Sequence, residues 1–377
     1  MKKIVIACDS FKGCLSSLEV ARAAEVGIRK ALPGCEVVGI PVGDGGEGTT
    51  EALVDAMDGY FVSCDVHDPL MNTIQAKYGI LGDGRTAVIE MASAGGLTLV
   101  PPEKRNPMLT TTFGTGELIL DALQRGCRNF LIGIGGSATN DAGTGMLQAL
   151  GFRFLDGDGN ELGKGGRILE RIKFINSDKA AEKLLEAVFT IACDVNNPFS
   201  GENGAAFVYA RQKGADDAMI LELDKGLRQF ADVIRTTIGK DINDIPGAGA
   251  AGGLGGGFLA FLPATLKPGI QMVLETLDFD SRIQNADLII TGEGKLDRQT
   301  GMGKTPAGIL AAGKKRNIPV IAIGGAVEET DALLKQGFLA VMSIQPGPVS
   351  LEQAMDKSFA YRQIERIVEQ IVRLRVN

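Results

Sequence analysis

The feature that most constrains the fold is a repeated order of short apolar strand, polar loop with glycine, and helix. Apolar runs at residues 3–7, 36–42 and 287–291 are each followed by such a loop and then by a helical pattern. Unbroken apolar runs of this length are typical of strands buried on both faces of a parallel sheet. The 51 glycines among 377 residues have no fixed period, which excludes a collagen-like sequence. This order of elements predicts an α/β fold with a parallel sheet.

The pattern changes character near residue 59, which indicates a second domain. Short strands joined by turns are predicted next, at residues 60–66, 74–81 and 86–91. Such a meander is typical of an antiparallel or mixed sheet. We predict a Rossmann-like domain built from residues 1–58 and 281–377, with a second α/β domain, containing a mixed sheet, inserted at 59–280. Clefts between domains are favoured ligand sites, so the active site is expected in the interdomain cleft.

The composition excludes several classes of function. A formal net charge of −7 argues against a nucleic-acid partner, since nucleic acids attract basic surfaces. No apolar run reaches the roughly 18 residues of a membrane span, and the start of the chain lacks a signal-peptide pattern. The six cysteines are scattered without a Cys-x-x-Cys pair, a spacing typical of reduced thiols. We therefore expect a cytoplasmic protein with neither a nucleic-acid nor a membrane partner.

The single histidine, His67, restricts the chemistry further. A Ser-His-Asp triad would have to use it, and a histidine-rich metal site is excluded. His67 precedes Asp68 and Pro69 in a region that reads as the end of a strand, where a structural or exposed role is expected. Acid–base chemistry would then have to be carried by carboxylates or lysines.

The loop at residues 43–49 is the first candidate ligand loop, because it follows a predicted strand and precedes a helix. Its glycines match the dinucleotide pattern GxGxxG. Asp44 and Glu47 lie within that match, and two carboxylates would repel a pyrophosphate group. They fit a phosphate site better if Mg²⁺ lies between the acids and the phosphate. The alternative is a flexible turn that caps the helix at Thr49.

A second candidate loop spans residues 292–305 and ends in Gly-Lys-Thr. It is not a Walker A motif, because Arg298 stands where that motif requires glycine. The segment offers two carboxylates and three cations near a helix start: Glu293, Asp297, Lys295, Arg298 and Lys304. This mixture suits a metal-bound polyphosphate. A solvated, salt-bridged loop is the alternative.

Three further segments could approach an anion or a nucleotide. Residues 135–143 are small and precede a helix, where backbone N–H groups can bind phosphate, although Asn140 and Asp141 could instead act as helix caps. Asp194 follows the strand predicted at 189–193 and supplies another carboxylate at a strand end. The glycine run at 247–257 contains a second, weak GxGxxG match without a clear preceding strand. Together, the loops point to metal-assisted phosphoryl transfer.

Five of these segments resemble motifs of the bacterial glycerate kinases of type I. They are Asp-Ser-Phe-Lys-Gly at 9–13, Gly-Asp-Gly-Gly-Glu-Gly at 43–48, Gly-Gly-Ser-Ala-Thr-Asn-Asp at 135–141, Ala-Cys-Asp-Val at 192–195 and Thr-Gly-Glu-Gly-Lys-Leu-Asp at 291–297. The resemblance runs in order from about residue 3 to about residue 345. It implies transfer of the γ-phosphoryl group of ATP to D-glycerate, giving 2-phosphoglycerate, with 3-phosphoglycerate as the alternative product. Cys8, Cys14 and Ala142 depart from the usual pattern without removing an ionisable group.

On this resemblance we assign roles as hypotheses. Mg²⁺ is held by Asp44 and Glu47 or by Glu293 and Asp297, and the catalytic candidates are Asp194, Lys12, Asp44 and Asp297. Asp194 is the preferred group to orient or accept the proton of the glycerate hydroxyl. The predicted ATP-binding residues are Gly135, Gly136, Ser137, Asn140, Asp141, Gly252, Gly253 and Lys304. The predicted substrate-binding residues are Ser10, Lys12, Glu47 and Arg298, and Arg282 and Lys295 are further candidate cations for the glycerate carboxylate.

Two rival functions are weighed against this one. The GxGxxG matches would suit a nicotinamide-dependent oxidoreductase, but the acids within the first match argue against it. A non-enzymatic, two-lobed protein that binds a sugar acid is the other rival, and the missing signal-peptide pattern argues against an exported one. The expected partner is a small molecule, D-glycerate, with ATP and Mg²⁺ as cofactors. The sequence does not decide whether the protein forms a homo-oligomer.

Overall fold

A computed structural model describes residues 1–180, 182–297, 300 and 303–376. Its strands are β1 (Lys3–Cys8), β2 (Glu36–Gly39), β3 (Tyr60–His67), β4 (Thr73–Ile80), β5 (Thr86–Glu90), β6 (Asn129–Gly133), β7 (Arg153–Leu155), β8 (Phe174–Asn176), β9 (Val188–Ala192), β10 (Ala264–Lys267), β11 (Leu288–Leu296), β12 (Val320–Val327) and β13 (Ala340–Ser343). Most of the strands predicted from apolar runs are present, with ends that differ by one to a few residues.

The α-helices cover the sheets. They are α1 (Ser17–Ala31), α2 (Thr49–Ala56), α3 (Ala92–Gly95), α4 (Phe113–Gln124), α5 (Thr144–Ala149), α6 (Ala205–Tyr209), α7 (Asp217–Ile238), α8 (Ala250–Phe261), α9 (Gly269–Thr276), α10 (Phe279–Arg282), α11 (Thr305–Lys315), α12 (Thr330–Lys335), α13 (Leu351–Ala354) and α14 (Lys357–Val376). Short 3₁₀ helices lie between some of them. None of the described helices is long and apolar enough to cross a membrane.

The first compact unit combines Met1–Asp58 with Gly269–Asn377. Its five-stranded sheet has the order β13-β12-β11-β1-β2, and every pair of neighbouring strands is parallel. The interior strand β1, between β11 and β2, is fully buried from Ile4 to Cys8, as its unbroken apolar run predicts. Cys8 pairs with Gly292 of β11. The segments that follow these two residues therefore begin side by side at the carboxyl edge of the sheet.

The second compact unit is Gly59–Pro268. Its six-stranded sheet has the order β10-β9-β6-β5-β4-β3; the pairs β3–β4 and β4–β5 are antiparallel and the others are parallel. Gly133 of β6 pairs with both Glu90 of β5 and Ala192 of β9. The loops after β5, β6 and β9 thus leave this sheet at one edge, where ligands bind in parallel sheets.

The predicted α/β class, with a parallel sheet in one unit and a mixed sheet in the other, is confirmed. The domain limits predicted at 58/59 and 280/281 stay a prediction; the compact units end at Asp58 and Pro268.

Two local predictions are wrong. β11 continues to Leu296 through residues predicted as loop, because Lys295 and Leu296 pair with Ala326 and Val327 of β12. The glycine run predicted as a loop ends in helix α8, whose residues 251–253 have positive φ angles that break the helix near its start. Both differences arise from contacts between residues that are distant in sequence, which the local order of apolar and polar residues cannot predict.

Candidate active site

Asp9 is the most deeply buried acid at the carboxyl edge of the first unit, where it follows β1 and is only 2% exposed. Its carboxylate accepts hydrogen bonds from the Ser10 N–H at 2.6 Å and from the Thr305 hydroxyl at 3.1 Å. Burial raises the pKa of Asp9 to about 7, and the negative charge of Asp44 acts in the same direction. Asp9 therefore links the start of α11 to the end of β1.

Asp44 lies in the loop before α2, close to the other acids. One carboxylate oxygen accepts the Gly46 N–H at 3.0 Å, and the other lies 3.9 Å from Lys12 Nζ. The Lys12 side chain is half-exposed, so solvent weakens this ion pair. Glu47, three residues further on, is exposed to solvent. The loop thus presents one partly buried carboxylate and one solvated carboxylate.

Glu293 brings a further acid to the same edge, because it lies on the extended part of β11. Its carboxylate accepts the Thr300 hydroxyl at 2.7 Å and lies 4.0 Å from Lys304 Nζ. Burial raises the pKa of Glu293, and the charges of Asp44 and Asp297 add to that effect. The fold therefore places Asp44 within electrostatic range of Glu293, although the two are far apart in sequence, and Asp297, four residues after Glu293, acts on it as well.

The predicted cations of this unit lie in different places. Lys12 and Lys304 accompany the acids, whereas Lys295 Nζ lies 3.0 Å from Glu328 and 3.9 Å from Asp297. Arg282 lies at the opposite edge of the sheet, since its carbonyl accepts a hydrogen bond from Lys3 at the start of β1. Arg282 is therefore withdrawn as a candidate for the glycerate carboxylate. Arg298 lies outside the described residues.

The acids of this edge suit a magnesium ion that is held jointly with phosphate. Within the described part of the chain, no group of three or more His, Cys, Asp or Glu side chains is arranged to hold a metal on its own. Mg²⁺ commonly takes only one or two protein carboxylates and completes its shell with substrate phosphates and water. Carboxylates whose charges already act on one another, such as Asp44 and Glu293, are a donor set that a divalent cation would stabilise.

In the second unit, the segment 135–143 follows β6, and Asp141 holds it in place. Asp141 is fully buried and accepts hydrogen bonds from Thr111, Thr112, Gly143 and Gly145. Burial raises the pKa of Asp141, whereas the hydrogen bonds from Thr112, Gly143 and Gly145 act in the opposite direction. Two of the donors are amides at the start of α5, which is the capping role considered from the sequence. Its role in ATP binding stays a prediction.

The rest of this segment has an exposed part and a buried part. Gly135 and Gly136 are exposed, whereas Ser137 and Asn140 are buried. Neither amide atom of Asn140 has a hydrogen-bond partner among the residues the structure describes. Buried amide groups are nearly always paired, so this exception requires an explanation, such as a ligand or water.

Lys213 is a residue of this site that the sequence did not reveal. It is 2% exposed and donates to Ser137 Oγ at 2.7 Å and to the Thr139 carbonyl at 2.6 Å. Burial lowers the pKa of Lys213 to about 7, and the charge of Asp141 opposes that shift. Lys213 lies in no recognisable motif and is more than 70 residues from its partners, so no local signal could have identified it.

Gly252 and Gly253 were predicted to approach the nucleotide, but packing inside the unit already requires them to be glycine. Both have positive φ angles, 71° and 87°. A Cβ atom on Gly252 would lie 2.1 Å from the Thr139 carbonyl oxygen. The Gly252 carbonyl accepts the Ala142 N–H at 3.0 Å. The break in α8 thus fits directly against segment 135–143.

This packing predicts that Gly252→Ala is strongly destabilising. We expect a loss of about 3 kcal/mol in the free energy of unfolding, because the new methyl group meets backbone that cannot rotate away. Urea denaturation measures the loss. The matched control is Gly84→Ala, since Gly84 also has a positive φ, 66°, but nothing lies within 4 Å of its Cβ position. Equal losses in the two variants would contradict the packing argument.

Two other residues considered from the sequence lie in the second unit. Asp194 follows β9 at the carboxyl edge and is exposed. His67 forms a local contact: its Nδ1 lies 2.9 Å from a carboxylate oxygen of Glu117, and its ring packs edge-on against Phe113. The position of His67 agrees with the structural role expected for it, and the catalytic role of Asp194 stays a prediction.

The comparisons with known proteins agree with one another. The model of the glycerate kinase family matches residues 4–376. A glycerate kinase of Bacillus subtilis (strain 168) is 49% identical over 95% of this chain and 94% of its own, and a glycerate 2-kinase of Escherichia coli (strain K12) is 48% identical over 93% of each chain. The crystal structure of a protein proposed to be glycerate kinase 2 of Salmonella typhimurium LT2 superposes with a TM-score of 0.92 at 43% identity, covering 100% of this chain and 98% of that one.

The α/β fold, the loops at its strand ends and these matches define an enzyme of the kinase class. The chain belongs to the glycerate kinase family. The resemblance noted in the sequence motifs is therefore confirmed.

Proposed function

We propose that this enzyme transfers the γ-phosphoryl group of ATP to the 2-hydroxyl of D-glycerate, giving 2-phosphoglycerate and ADP. The observation that carries the proposal is the group of acids and lysines at the carboxyl edge of the first unit, in a chain of the glycerate kinase family. The choice of the 2-hydroxyl is supported by the name of the Escherichia coli relative, glycerate 2-kinase. Because ATP is the phosphoryl donor, the cytoplasm is the proposed compartment.

The acids are proposed to hold Mg²⁺. The sequence offered two pairs, Asp44 with Glu47 and Glu293 with Asp297. The charges of Asp44 and Asp297 both act on Glu293, which favours these three acids over the solvated Glu47. When bound, Mg²⁺ neutralises phosphate charge and orients the transferred group. Asp9 is not proposed as a ligand of the ion. It accepts hydrogen bonds from Ser10 and Thr305, and so it holds the segment after β1 and the start of α11 in place beside the acids.

The lysines are proposed to stabilise the charge of the transferred group. Lys12 and Lys304 lie at 3.9 Å and 4.0 Å from Asp44 and Glu293, and both are accessible enough to move onto a phosphate. In phosphoryl transfer, such positioning and electrostatic stabilisation supply most of the catalysis. Asp194 is proposed to orient the glycerate hydroxyl or accept its proton, and segment 135–141 is proposed to bind ATP.

The test is ATP consumption by the purified protein with D-glycerate and Mg²⁺, with the product identified by ³¹P NMR. We expect 2-phosphoglycerate, formed in proportion to ADP. Formation of 3-phosphoglycerate would overturn the choice of hydroxyl but keep the kinase. EDTA is expected to abolish turnover, and excess Mg²⁺ to restore it. Turnover that is unchanged in EDTA would contradict the role of the metal.

A further inference from the structure

The ammonium group of Lys213 is buried in the second unit and donates hydrogen bonds to segment 135–141. Burying an ammonium ion is costly unless nearby groups compensate for its lost hydration. In the described residues its two hydrogen-bond partners are Ser137 Oγ and the Thr139 carbonyl oxygen. A methionine of similar length would fill the same space without that cost. The charge of Lys213 therefore requires a reason beyond packing.

The same segment is held at several other points. The Thr110 hydroxyl donates to the Ala138 carbonyl oxygen at 2.8 Å, and the Ala138 N–H donates to the Gly95 carbonyl oxygen at 2.9 Å. Asp141 ties its far end to Thr111 and Thr112. Lys213 completes these contacts at Ser137 and Thr139, the two residues on either side of Ala138. The segment is therefore rigidly held from within the unit.

Besides these held residues, the segment has an exposed part and an unpaired side chain; within the exposed part, the Gly136 carbonyl oxygen still accepts the Leu97 N–H at 2.8 Å. Gly135 and Gly136 are exposed, and no atom lies within 4 Å of the Cβ position of Gly135. The Asn140 amide is buried without a hydrogen-bond partner in the described part of the chain. A rigid segment with an open glycine backbone and an unused amide is arranged to receive a ligand with hydrogen-bonding groups.

We infer that Lys213 is a positioning residue for ATP: it holds Ser137 and Thr139 so that Gly135, Gly136 and Asn140 meet the nucleotide in a preformed arrangement. This inference rests on the proposed use of ATP by segment 135–141. The ammonium group also places positive charge behind the segment, which favours an anionic ligand in front of it. Lys213 itself does not need to touch the nucleotide.

The charged groups nearest to Lys213 are Asp141 and two arginines, and burial shifts the pKa of Asp141 as well as that of Lys213. Asp141 acts on it from the segment, and Arg211 on the same 3₁₀ helix pairs with Asp217 at the surface. Arg105, whose backbone packs against Gly214, donates to the Val100 carbonyl oxygen. Because burial lowers the pKa of Lys213 to about 7, the ammonium group loses its charge as the pH rises through neutrality.

The test compares wild type with Lys213→Met in steady-state kinetics, varying ATP and D-glycerate separately. We expect KM for ATP to rise at least tenfold in the variant, while KM for D-glycerate changes less than threefold. Lys225→Met is the matched control, because Lys225 is an exposed lysine of the same unit paired with Glu170; it is expected to match wild type. A folded Lys213→Met enzyme with an unchanged KM for ATP would overturn the inference.

A second readout does not depend on the folding of the variant. The KM of the wild-type enzyme for ATP is expected to rise as pH increases from 6 to 8, and this step should be missing from Lys213→Met if that variant folds. A pH-independent KM for ATP in wild type overturns the inference.

A wild-type protein without turnover would contradict the proposed function instead. Calorimetric titration with ATP would then decide the role of Lys213, and equal affinities of wild type and Lys213→Met would overturn it.

Discussion

Asp44→Asn is expected to lower kcat for glycerate phosphorylation by about 100-fold or more, the range found when one preorganised electrostatic contact is removed from an active site. The substitution keeps the shape of the side chain and its acceptor for the Gly46 N–H, but removes the negative charge that acts on Asp9 and Glu293. If that charge holds Mg²⁺, the loss should be partly offset at high Mg²⁺ concentration. Initial rates over a range of Mg²⁺ concentrations measure both effects.

Two further acid-to-amide changes make this experiment specific. Asp55→Asn, on the exposed face of α2, is the matched control and should retain the wild-type rate. Glu47→Gln tests the alternative metal pair taken from the sequence. A large loss in Asp44→Asn with a small one in Glu47→Gln would support Asp44, Glu293 and Asp297 as the metal-binding acids. Equal large losses would restore the pairing of Asp44 with Glu47, and a wild-type rate in Asp44→Asn would remove Asp44 from the catalytic group.

Asp9→Asn is expected to stabilise the protein above neutral pH. The pKa of Asp9 is raised to about 7 in the native state, whereas an unfolded chain has the ordinary value of about 3.9. Between these values the native state binds the extra proton, so the stability that Asp9 contributes at low pH is lost as pH rises through about 7. An asparagine stays neutral, so it avoids that loss. The expected gain at pH 8, relative to pH 4, is about 2–4 kcal/mol in the free energy of unfolding.

Urea denaturation in EDTA at several pH values between 4 and 8 measures this gain. Asp287→Asn is the control with the opposite sign, because hydrogen bonds from the Lys3 and Lys2 N–H groups lower the pKa of Asp287. Because that pKa lies below the ordinary value of about 3.9, the carboxylate keeps its stabilising contribution throughout the range above pH 5 and loses it only at more acidic pH. Asp287→Asn should therefore weaken the protein by a similar amount at every pH from 5 to 8, whereas the effect of Asp9→Asn should change with pH over the same range. Parallel pH curves for wild type and Asp9→Asn would refute the proposed titration of Asp9.

Much of the fold could be predicted because its signals are local. The buried strand β1 follows from an unbroken apolar run, and α1 follows from its helical spacing, with Ser16 and Glu19 forming a capping box at its start. The site loops could be located because parallel strands place their carboxyl ends at one edge. Acids among glycines in those loops indicated phosphoryl transfer, and the family match agrees with a kinase, whereas the metal stays a prediction.

Other features could not be predicted because they depend on residues that are distant in sequence. β11 extends to Leu296 because β12 offers backbone partners there. The positive φ of Gly252 is explained only by the Thr139 carbonyl against which it packs. The order of apolar and polar residues along the chain therefore determined the strands, the helices and the loops that carry the chemistry. Only the tertiary structure decided that the charge of Asp44 acts on Glu293, and that Lys213 holds segment 135–141 through hydrogen bonds. The reason is that burial and electrostatic interaction depend on distances in space, which leave no local pattern in the sequence.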